Sequence, residues 1–330
     1  MNKAELLSLL RESEDYISGQ ELCERFQVSR TAVWKVINQL KEDGYEIEAV
    51  KNRGYHLVLS PDALSKAEIE SRLSSKWAGR NLYVYEETDS TNLRIKQLAE
   101  EGATHGTLAV ANKQTAGRGR RGRSWESPSG TSIYMSILLK PEFAPQKASM
   151  VTIVMAMAIA KAIEKVSGLE AKIKWPNDIV VNGKKVCGIL TEMNAELDYI
   201  RYVVIGIGIN VNNRSMSDFE ESIQQNGSSL YIESGKEINR AVLVAAAMDA
   251  FEKYYSTFEQ KGNLSGLLEE YNNCLISMGK EVKVLDPKGE FTGISEGINA
   301  EGELIVRLPE GNVTTIYAGE VSVRGLYGYV

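Results

Sequence analysis

A loop that contains four arginines and three glycines has the clearest chemical capacity in this sequence. It reads GRGRRGR over residues 117–123, in a chain of 330 residues whose net charge is −6. Arginine holds phosphate and carboxylate oxygens through paired hydrogen bonds, and glycine lets the backbone approach a ligand closely. The loop is therefore suited to covering an anionic ligand, although a solvated charged loop would have the same composition.

Two common phosphate-binding motifs do not explain the loop. Gly117, Gly119 and Gly122 satisfy the dinucleotide fingerprint, but that motif requires a helix to begin at the turn. Here RSWESPSG follows, and its Ser-Pro-Ser-Gly segment at 127–130 does not open a long helix. A glycine-rich loop that ends in Gly-Lys-Ser or Gly-Lys-Thr is also missing from the sequence.

Residues 1–60 are predicted to form a winged helix-turn-helix domain. Ser18, with Glu21 three residues later, is typical of a helix start, and Ser29 is the expected N-cap of a third helix. Two extended stretches joined by the polar tip at 51–54 indicate a hairpin, the wing.

Two further domains are expected after a break at Ser60-Pro61, which makes the chain a multidomain α+β protein. Over 65–276, strands mix with helices, which predicts a mixed α/β domain around one large sheet. Over 277–330, short strands at regular spacing predict a small β-barrel. The sequence has no run of about 18 apolar residues and no signal-peptide pattern, so we expect a cytoplasmic protein without a membrane span. Three scattered cysteines and two histidines indicate neither a disulfide framework nor a zinc site.

Three motifs accompany the arginine loop: DSTN at 89–92, KWPNDIVVNGKKVCGIL at 174–190 and GIGIN at 206–210. Together with the loop they closely resemble biotin protein ligases. With the winged helix, the whole chain resembles the bifunctional bacterial branch of that family, which also represses the biotin operon. The resemblance implies a central catalytic domain of the biotin/lipoate ligase type and a C-terminal SH3-like barrel.

The resemblance implies an ATP-dependent biotin acetyl-CoA-carboxylase ligase. Such an enzyme joins the biotin carboxylate to the α-phosphate of ATP, which gives biotinyl-5′-AMP and pyrophosphate. It then passes biotin to a lysine of the biotin carboxyl carrier protein. Because the first step brings two anions together, it needs bridging cations. The implied roles in the loop are contact with biotin or its adenylate for Gly117, Arg118, Gly119 and the catalytic Arg120, and contact with phosphates or support of the closed loop for Arg121 and Arg123.

The motif at 174–190 supplies the other implied catalytic residues. Lys185 matches the family lysine between the biotin carboxylate and the α-phosphate, and strand alternation puts only one of Lys184 and Lys185 on the inner face. Asp178 matches a carboxylate near the reaction centre. It could hold Mg²⁺ with the ATP phosphates, with Asn177 as partner, or accept the proton of the incoming amine, which we favour. A simple turn at 176–178 would explain the same residues.

The resemblance also implies the residues that line the ligand pocket. Biotin's ureido head needs a few converging polar groups in an otherwise apolar pocket. DSTN should also supply a helix N-cap, and Trp125 either walls the pocket or packs under the loop. Glycines in strands leave room for a ligand, although sheet packing would select glycine as well. The expected lining residues are Ser90, Thr91, Asn92, Gln114, Trp125, Gly188, Gly206, Gly208 and, close to the adenine, Asn210.

A DNA-binding role for the first domain depends on placement rather than on bulk charge, because residues 1–60 hold eight Lys or Arg against ten Asp or Glu. The candidates for phosphate contacts are Arg30, Lys35, Lys51 and Arg53, and those for groove contacts are Ser29, Thr31, Trp34 and Asn38. A winged helix used only for protein contacts is the alternative. Operator specificity favours a homodimer on a palindromic site. The resemblance implies that biotinyl-5′-AMP is the corepressor and promotes this dimer.

Two other functions are compatible with these sequence features. A lipoate-protein ligase would share the fold plan and the adenylation chemistry. A ligand-sensing repressor without catalysis would share the domains, although the intact Lys185, Asp178 and arginine loop favour an enzyme.

Overall fold

The first domain is a winged helix-turn-helix, as the sequence predicts. The structure is a computed structural model that describes residues 1–286, 289–318, 322–325 and 329–330. The Ser18 and Ser29 hydroxyls accept hydrogen bonds from the Glu21 and Ala32 amides and so begin the second and third helices. The wing strands pair antiparallel. The elements are α1 Lys3–Glu12, α2 Gly19–Phe26, α3 Arg30–Glu42, β1 Glu46–Val50 and β2 Gly54–Leu59.

The second domain is built on a large mixed sheet. Its elements are α4 Lys66–Glu70, β3 Leu82–Tyr85, α5 Thr91–Glu100, β4 Leu108–Ala111, β5 Ser132–Leu139, α6 Ala148–Ser167, β6 Lys172–Lys174, β7 Asp178–Val181, β8 Lys184–Ala195, β9 Ile200–Asn210, α7 Glu221–Gln224, α8 Leu230–Ser234, α9 Arg240–Lys261 and α10 Leu268–Cys274. The described strands form one seven-stranded sheet in the order β3-β4-β5-β9-β8-β7-β6, in which the β3-β4 pair is parallel and the other pairs are antiparallel.

The two faces of this sheet are covered differently. Helices α6 and α9 pack together on one face, and α6 is buried almost all round because its sequence is apolar in every direction. Helix α5 covers part of the other face, where Ile95 and Leu98 pack on β4, β5 and β9. The rest of that face is open and forms the floor of the site. Within the described ranges, no helix is both long enough and apolar enough to span a membrane.

The third domain is a small antiparallel sheet. Its described strands are β10 Glu281–Asp286, β11 Gly289–Ile298, β12 Leu304–Arg307, β13 Val313–Ile316 and β14 Ser322–Gly325, in the order β13-β12-β11-β10-β14. The sequence pattern predicted short strands over 277–330, and residues 287–288, 319–321 and 326–328 of that range lie outside the described residues. Val282, Val284, Leu304 and Val306 face the core shared with the second domain.

A buried carboxylate joins the first domain to the second. Glu68, in α4, is fully buried and accepts hydrogen bonds on both carboxylate oxygens. Oε2 accepts from Arg11 Nη2 at 2.6 Å and from the Tyr45 hydroxyl at 2.5 Å, and Oε1 accepts from Arg72 Nε at 2.9 Å. Burial and the hydrogen bond to Glu68 raise the pKa of Tyr45, so its hydroxyl remains a donor. Arg11 and Tyr45 come from the winged helix, so the charge of Glu68 fixes one domain against the other.

Candidate active site

A lysine–aspartate pair stands on the hairpin of β7 and β8. The two strands are joined at Asn182 and Gly183, which both adopt positive φ. Lys185 Nζ lies 2.7 Å from Asp178 Oδ1 in the cleft, and 26% of the Lys185 side chain is exposed. Lys184 is 47% exposed, and its Nζ lies 3.9 Å from a Glu233 oxygen. Strand alternation therefore turns one lysine to the cleft and the other to solvent, as the sequence predicts.

Asn177 connects this pair to the arginine loop. Its amide nitrogen donates to Asp178 Oδ1 at 3.0 Å and to the Ile189 carbonyl at 3.1 Å, and its amide oxygen accepts from Arg120 Nη1 at 2.5 Å. Burial lowers the pKa of Arg120, and the nearby Asp178 carboxylate opposes that effect. A desolvated guanidinium beside a lysine strongly favours a bound anion.

Two residues that sequence reasoning missed complete the surroundings of Asp178. The Tyr329 hydroxyl donates to Asp178 Oδ2 at 2.5 Å, and Lys174 Nζ lies 3.1 Å from the centroid of the Tyr329 ring. Burial lowers the pKa of Lys174 to about 8, while burial and Asp178 raise the pKa of Tyr329. Lys174 stands in the motif KWPND, which was a usable signal. For Tyr329 the sequence offers none, because the contact joins residues 151 positions apart.

The floor of the cleft is made of glycines under the Trp125 ring. Gly188 and Gly208 are paired across β8 and β9, and a Cβ on either would come within 2.8 Å of the Trp125 side chain. The Trp125 Nε1 is buried without a hydrogen-bond partner. Trp125 therefore packs on Gly188 and Gly208 and also lines the cleft, so walling the pocket and packing under the loop are compatible roles for this side chain. An unpaired buried donor at this position suits a ligand acceptor.

The start of α5 forms the second wall. Ser90 occupies the N-cap position, but its side chain makes no capping bond, and its amide donates to Asp89 Oδ1 at 2.6 Å instead. Gln114 Oε1 accepts from the Thr91 amide at 2.9 Å. A Cβ on Gly206 would lie 2.1 Å from the Asn92 amide oxygen. The hydroxyl and amide side chains of this wall therefore lie next to the backbone of Gly206.

Asn92 is held from two sides, by residues that sequence reasoning did not select. Its Nδ2 donates to Glu192 at 2.7 Å, and its Oδ1 accepts from the Ser136 hydroxyl at 2.6 Å. Lys96 Nζ lies 2.7 Å from the other Glu192 oxygen. Burial raises the pKa of Glu192, but hydrogen bonds from Lys96 and Asn92 together with the charge of Lys96 lower this pKa overall, so the carboxylate remains an acceptor and fixes the Asn92 amide.

The arginine loop folds back on itself across the mouth of the cleft. Gly119 donates its amide to the Arg123 carbonyl at 2.7 Å, Arg121 has φ of +58° and Gly122 has φ of +70°. Gly117, the first residue of the loop, packs against the backbone that follows the loop, where a Cβ would be 2.3 Å from the Trp125 carbonyl oxygen. The cleft has a volume of about 940 Å³, and every expected ligand residue except Gly117 lines it. Asn210 lines the cleft as well, and its amide nitrogen donates to the Ser228 carbonyl at 3.0 Å.

The candidate DNA-contacting residues lie on the surface of the winged helix. Trp34 is 59% exposed on α3, an unusual position for a large aromatic side chain. The Ser29 hydroxyl oxygen accepts the capping hydrogen bond of α3, which leaves its O–H group as a donor for a groove contact. Arg53, at the wing tip, pairs with Asp15 at 2.8 Å. The remaining candidates are exposed or half-buried, namely Arg30, Thr31, Lys35, Asn38 and Lys51.

Comparisons with known proteins match all three domains. Residues 2–56 match an HTH domain, residues 84–210 the biotin/lipoate A/B protein ligase family and residues 277–324 the biotin protein ligase C-terminal domain. The chain is 40% identical over 324 residues to the bifunctional ligase/repressor BirA of Bacillus spizizenii, a match that covers 97% of this chain and 98% of that one. It is 31% identical to the Escherichia coli protein of the same name, over 97% of this chain and 96% of that one. A solved biotin protein ligase from Aquifex aeolicus in complex with biotin and ATP matches with a TM-score of 0.64 and 31% identity, over 74% of this chain and 99% of that one.

Proposed function

This chain belongs to the family of bifunctional biotin ligase/repressors, and we propose that its central cleft forms biotinyl-5′-AMP from biotin and ATP. In a second reaction, the enzyme transfers biotin from this adenylate to a lysine of the carrier protein. The observation that supports this most directly is the Lys185–Asp178 pair, 2.7 Å apart inside a cleft that the arginine loop covers. Both reactants of the first step are anions, and the second step needs a proton acceptor.

The cations of the cleft serve the first step. A biotin carboxylate oxygen attacks the α-phosphorus, the P–O bond to the β-phosphate breaks, and pyrophosphate leaves with the electron pair. Lys185 neutralises the carboxylate and the α-phosphate together, so charge that develops between them is stabilised in a site that excludes most water. Arg118, Arg120 and Arg121 line the same cleft and bind the remaining anionic oxygens. The loop that carries them closes over the adenylate.

The wall at the start of α5 is suited to the ureido head of biotin. Thr91, Asn92 and Gln114 present a donor and acceptor network whose orientation is fixed by Glu192 and Ser136. The glycine floor lets the Trp125 ring pack directly on the strands, and the buried Trp125 Nε1 is available to a ligand acceptor. Asn210 lines the part of the cleft that we propose for the adenine.

We propose that Asp178 accepts the proton of the acceptor lysine in the second step. Magnesium prefers several oxygen ligands in octahedral geometry. Here the Asn177 oxygen faces Arg120 and Asp178 Oδ1 faces Lys185, and the described residues hold no cluster of three or more metal-ligating side chains. These residues therefore fit poorly as a protein-held magnesium site, and Mg²⁺ would enter with ATP, where it neutralises phosphate charge.

The partners follow from the two halves of the chain. The ligase half acts on the biotin carboxyl carrier protein of acetyl-CoA carboxylase or a related carboxylase, and the winged helix binds operator DNA through α3 and the wing. We propose a homodimer on the operator, favoured by biotinyl-5′-AMP because closure of residues 117–123 orders part of the dimer surface. Because ATP and operator DNA are both intracellular, we propose the cytoplasm as its location.

The exchange of labelled pyrophosphate into ATP tests the ligase reaction. Lys185→Ala should reduce biotin-dependent exchange by about 100- to 1,000-fold, the loss typical of removing one group that stabilises developing charge. The matched control Lys184→Ala removes a neighbouring lysine that faces solvent and should leave exchange nearly unchanged. Lipoate in place of biotin should support little exchange. Equal effects of the two substitutions, or faster exchange with lipoate, would contradict the proposal.

A further inference from the structure

Both carboxylate oxygens of Asp178 are occupied by donors. Oδ1 accepts from Lys185 Nζ at 2.7 Å and from Asn177 Nδ2 at 3.0 Å. Oδ2 accepts from the Tyr329 hydroxyl at 2.5 Å. The two oxygens therefore differ, because Oδ1 belongs to a network inside the catalytic domain, whereas Oδ2 is covered by a residue from a different part of the chain.

Tyr329 is held over the site by its ring as well as by its hydroxyl. Lys174 Nζ lies 3.1 Å from the ring centroid, a cation–π contact. Lys174 is next to Trp175, whose Nε1 donates to the Gly302 carbonyl at 3.0 Å. The ring contact survives removal of the hydroxyl, so the two functions of Tyr329 can be separated by substitution.

The transfer step requires an acceptor for one proton. The amine nitrogen attacks the carbonyl carbon of the mixed anhydride, a C–N bond forms, and the C–O bond to phosphate breaks as AMP leaves with the electron pair. The proton lost from nitrogen goes to the carboxylate. Lys185 and Asn177 occupy Oδ1 and hold the pair in place, so the incoming amine must approach Oδ2, where the Tyr329 hydroxyl now stands.

We propose that Tyr329 determines which amines are acylated, because its hydroxyl fills the Oδ2 position until a docked acceptor lysine displaces it. This inference rests on the proposed role of Asp178 as proton acceptor. A free amine has only its own hydrogen bond with which to displace the tyrosine. A lysine on a folded carrier protein has binding energy from contacts remote from the reacting nitrogen, which offsets the cost of displacement.

Discharge of the adenylate by a free amine tests this proposal. The enzyme is loaded with biotin and ATP, pyrophosphate is removed, and decay of biotinyl-5′-AMP is followed with hydroxylamine or with carrier domain. Tyr329→Phe should speed discharge by hydroxylamine about tenfold or more, since the amine no longer has to break a hydrogen bond to a charged group. Discharge by saturating carrier domain should change much less, because docking of the carrier already offsets the displacement of the hydroxyl, so the ratio of the hydroxylamine rate to the carrier rate should rise about tenfold. The control Tyr317→Phe alters a tyrosine that is 55% exposed in the same domain and should change none of these rates.

Three results would overturn the proposal in different ways. Unchanged hydroxylamine discharge in both Tyr329→Phe and Tyr329→Ala, with normal pyrophosphate exchange, would show that the hydroxyl does not guard Oδ2. A parallel loss of exchange and of transfer in Tyr329→Phe would make Tyr329 a support of the site. Absence of biotin-dependent exchange in the unmodified protein would contradict the ligase reaction itself, and the role of Tyr329 with it.

Discussion

Replacing Glu68 by glutamine should loosen the winged helix from the catalytic domain without harming the ligase reaction. The substitution preserves volume but removes the charge that Arg11 and Arg72 share. A glutamine side chain has one acceptor oxygen, so it satisfies either the Arg72 side or the side of Arg11 and Tyr45. One guanidinium is then left beside an amide NH₂ group.

The magnitude follows from the burial of the cluster. Removing one partner of a buried ion pair costs about 3–5 kcal/mol. The Arg11 and Arg72 side chains keep 17% and 20% of their surface exposed, so water offsets part of this loss. We expect the contact between the domains to weaken by about 2–4 kcal/mol. Since about 1.4 kcal/mol corresponds to a factor of ten, amide exchange in α1 should accelerate by about 30- to 700-fold wherever it occurs through opening of this contact.

Hydrogen exchange followed by mass spectrometry measures the protection of each helix and strand separately, which suits a chain of several domains. The control Glu70→Gln lies in the same helix, where Glu70 is 3.6 Å from Lys66 in an exposed pair of little energetic weight. Operator affinity should fall in Glu68→Gln, while pyrophosphate exchange stays normal. The reasoning fails if the two variants exchange alike in α1, or if adenylation falls together with protection.

Three further outcomes are expected. Gly206→Ala should raise the KM for biotin about tenfold in a steady-state assay, because the new methyl would meet the Asn92 oxygen at 2.1 Å and displace it; an unchanged KM would remove Asn92 from the pocket. Asp178→Ala should slow single-turnover transfer to the carrier about 100-fold and adenylation much less, whereas the opposite order would favour the magnesium role. Arg120→Ala should weaken both ligand-promoted dimerisation, measured by sedimentation, and operator tightening by about tenfold, and operator affinity indifferent to biotin and ATP in the unmodified protein would exclude this coupling.

The sequence predicted local structure well where one element decides the outcome. Alternation in β8 separates Lys185 from Lys184, and the caps at Ser18 and Ser29 begin their helices as expected. The pattern did not reveal β6 and β7, which span only three and four residues beside Pro176. Ser90 stands at the N-cap position of α5 without a capping bond from its side chain, and the Thr91 amide donates to Gln114 Oε1 instead. Whether a short strand forms, and which side chain caps a helix, depends on contacts with other segments of the chain. The hydrophobic periodicity of a single segment does not report those contacts.

The site itself was predictable only in its contiguous motifs. Most residues of the loop, several of the 174–190 motif and the strand glycines line one cleft, and their contacts with ligands stay a prediction. Tyr329 lines the same cleft, and Glu192 and Ser136 hold its wall residue Asn92, all through pairings between distant segments. No local sequence pattern identifies a tyrosine or a glutamate whose hydrogen-bond partner is distant in sequence.

The positions of the site residues along the chain indicate the order in which their contacts form. Asp178 and Lys185 meet within one hairpin, whereas the Tyr329 contact with Asp178 spans 151 positions. Contacts between near neighbours in sequence form faster than contacts between distant segments, and synthesis proceeds from the N-terminal side. Local pairing therefore favours assembly of the Asp178–Lys185 pair before the Tyr329 contact. On the proposed roles, the proton acceptor is in place before the residue that restricts access to it.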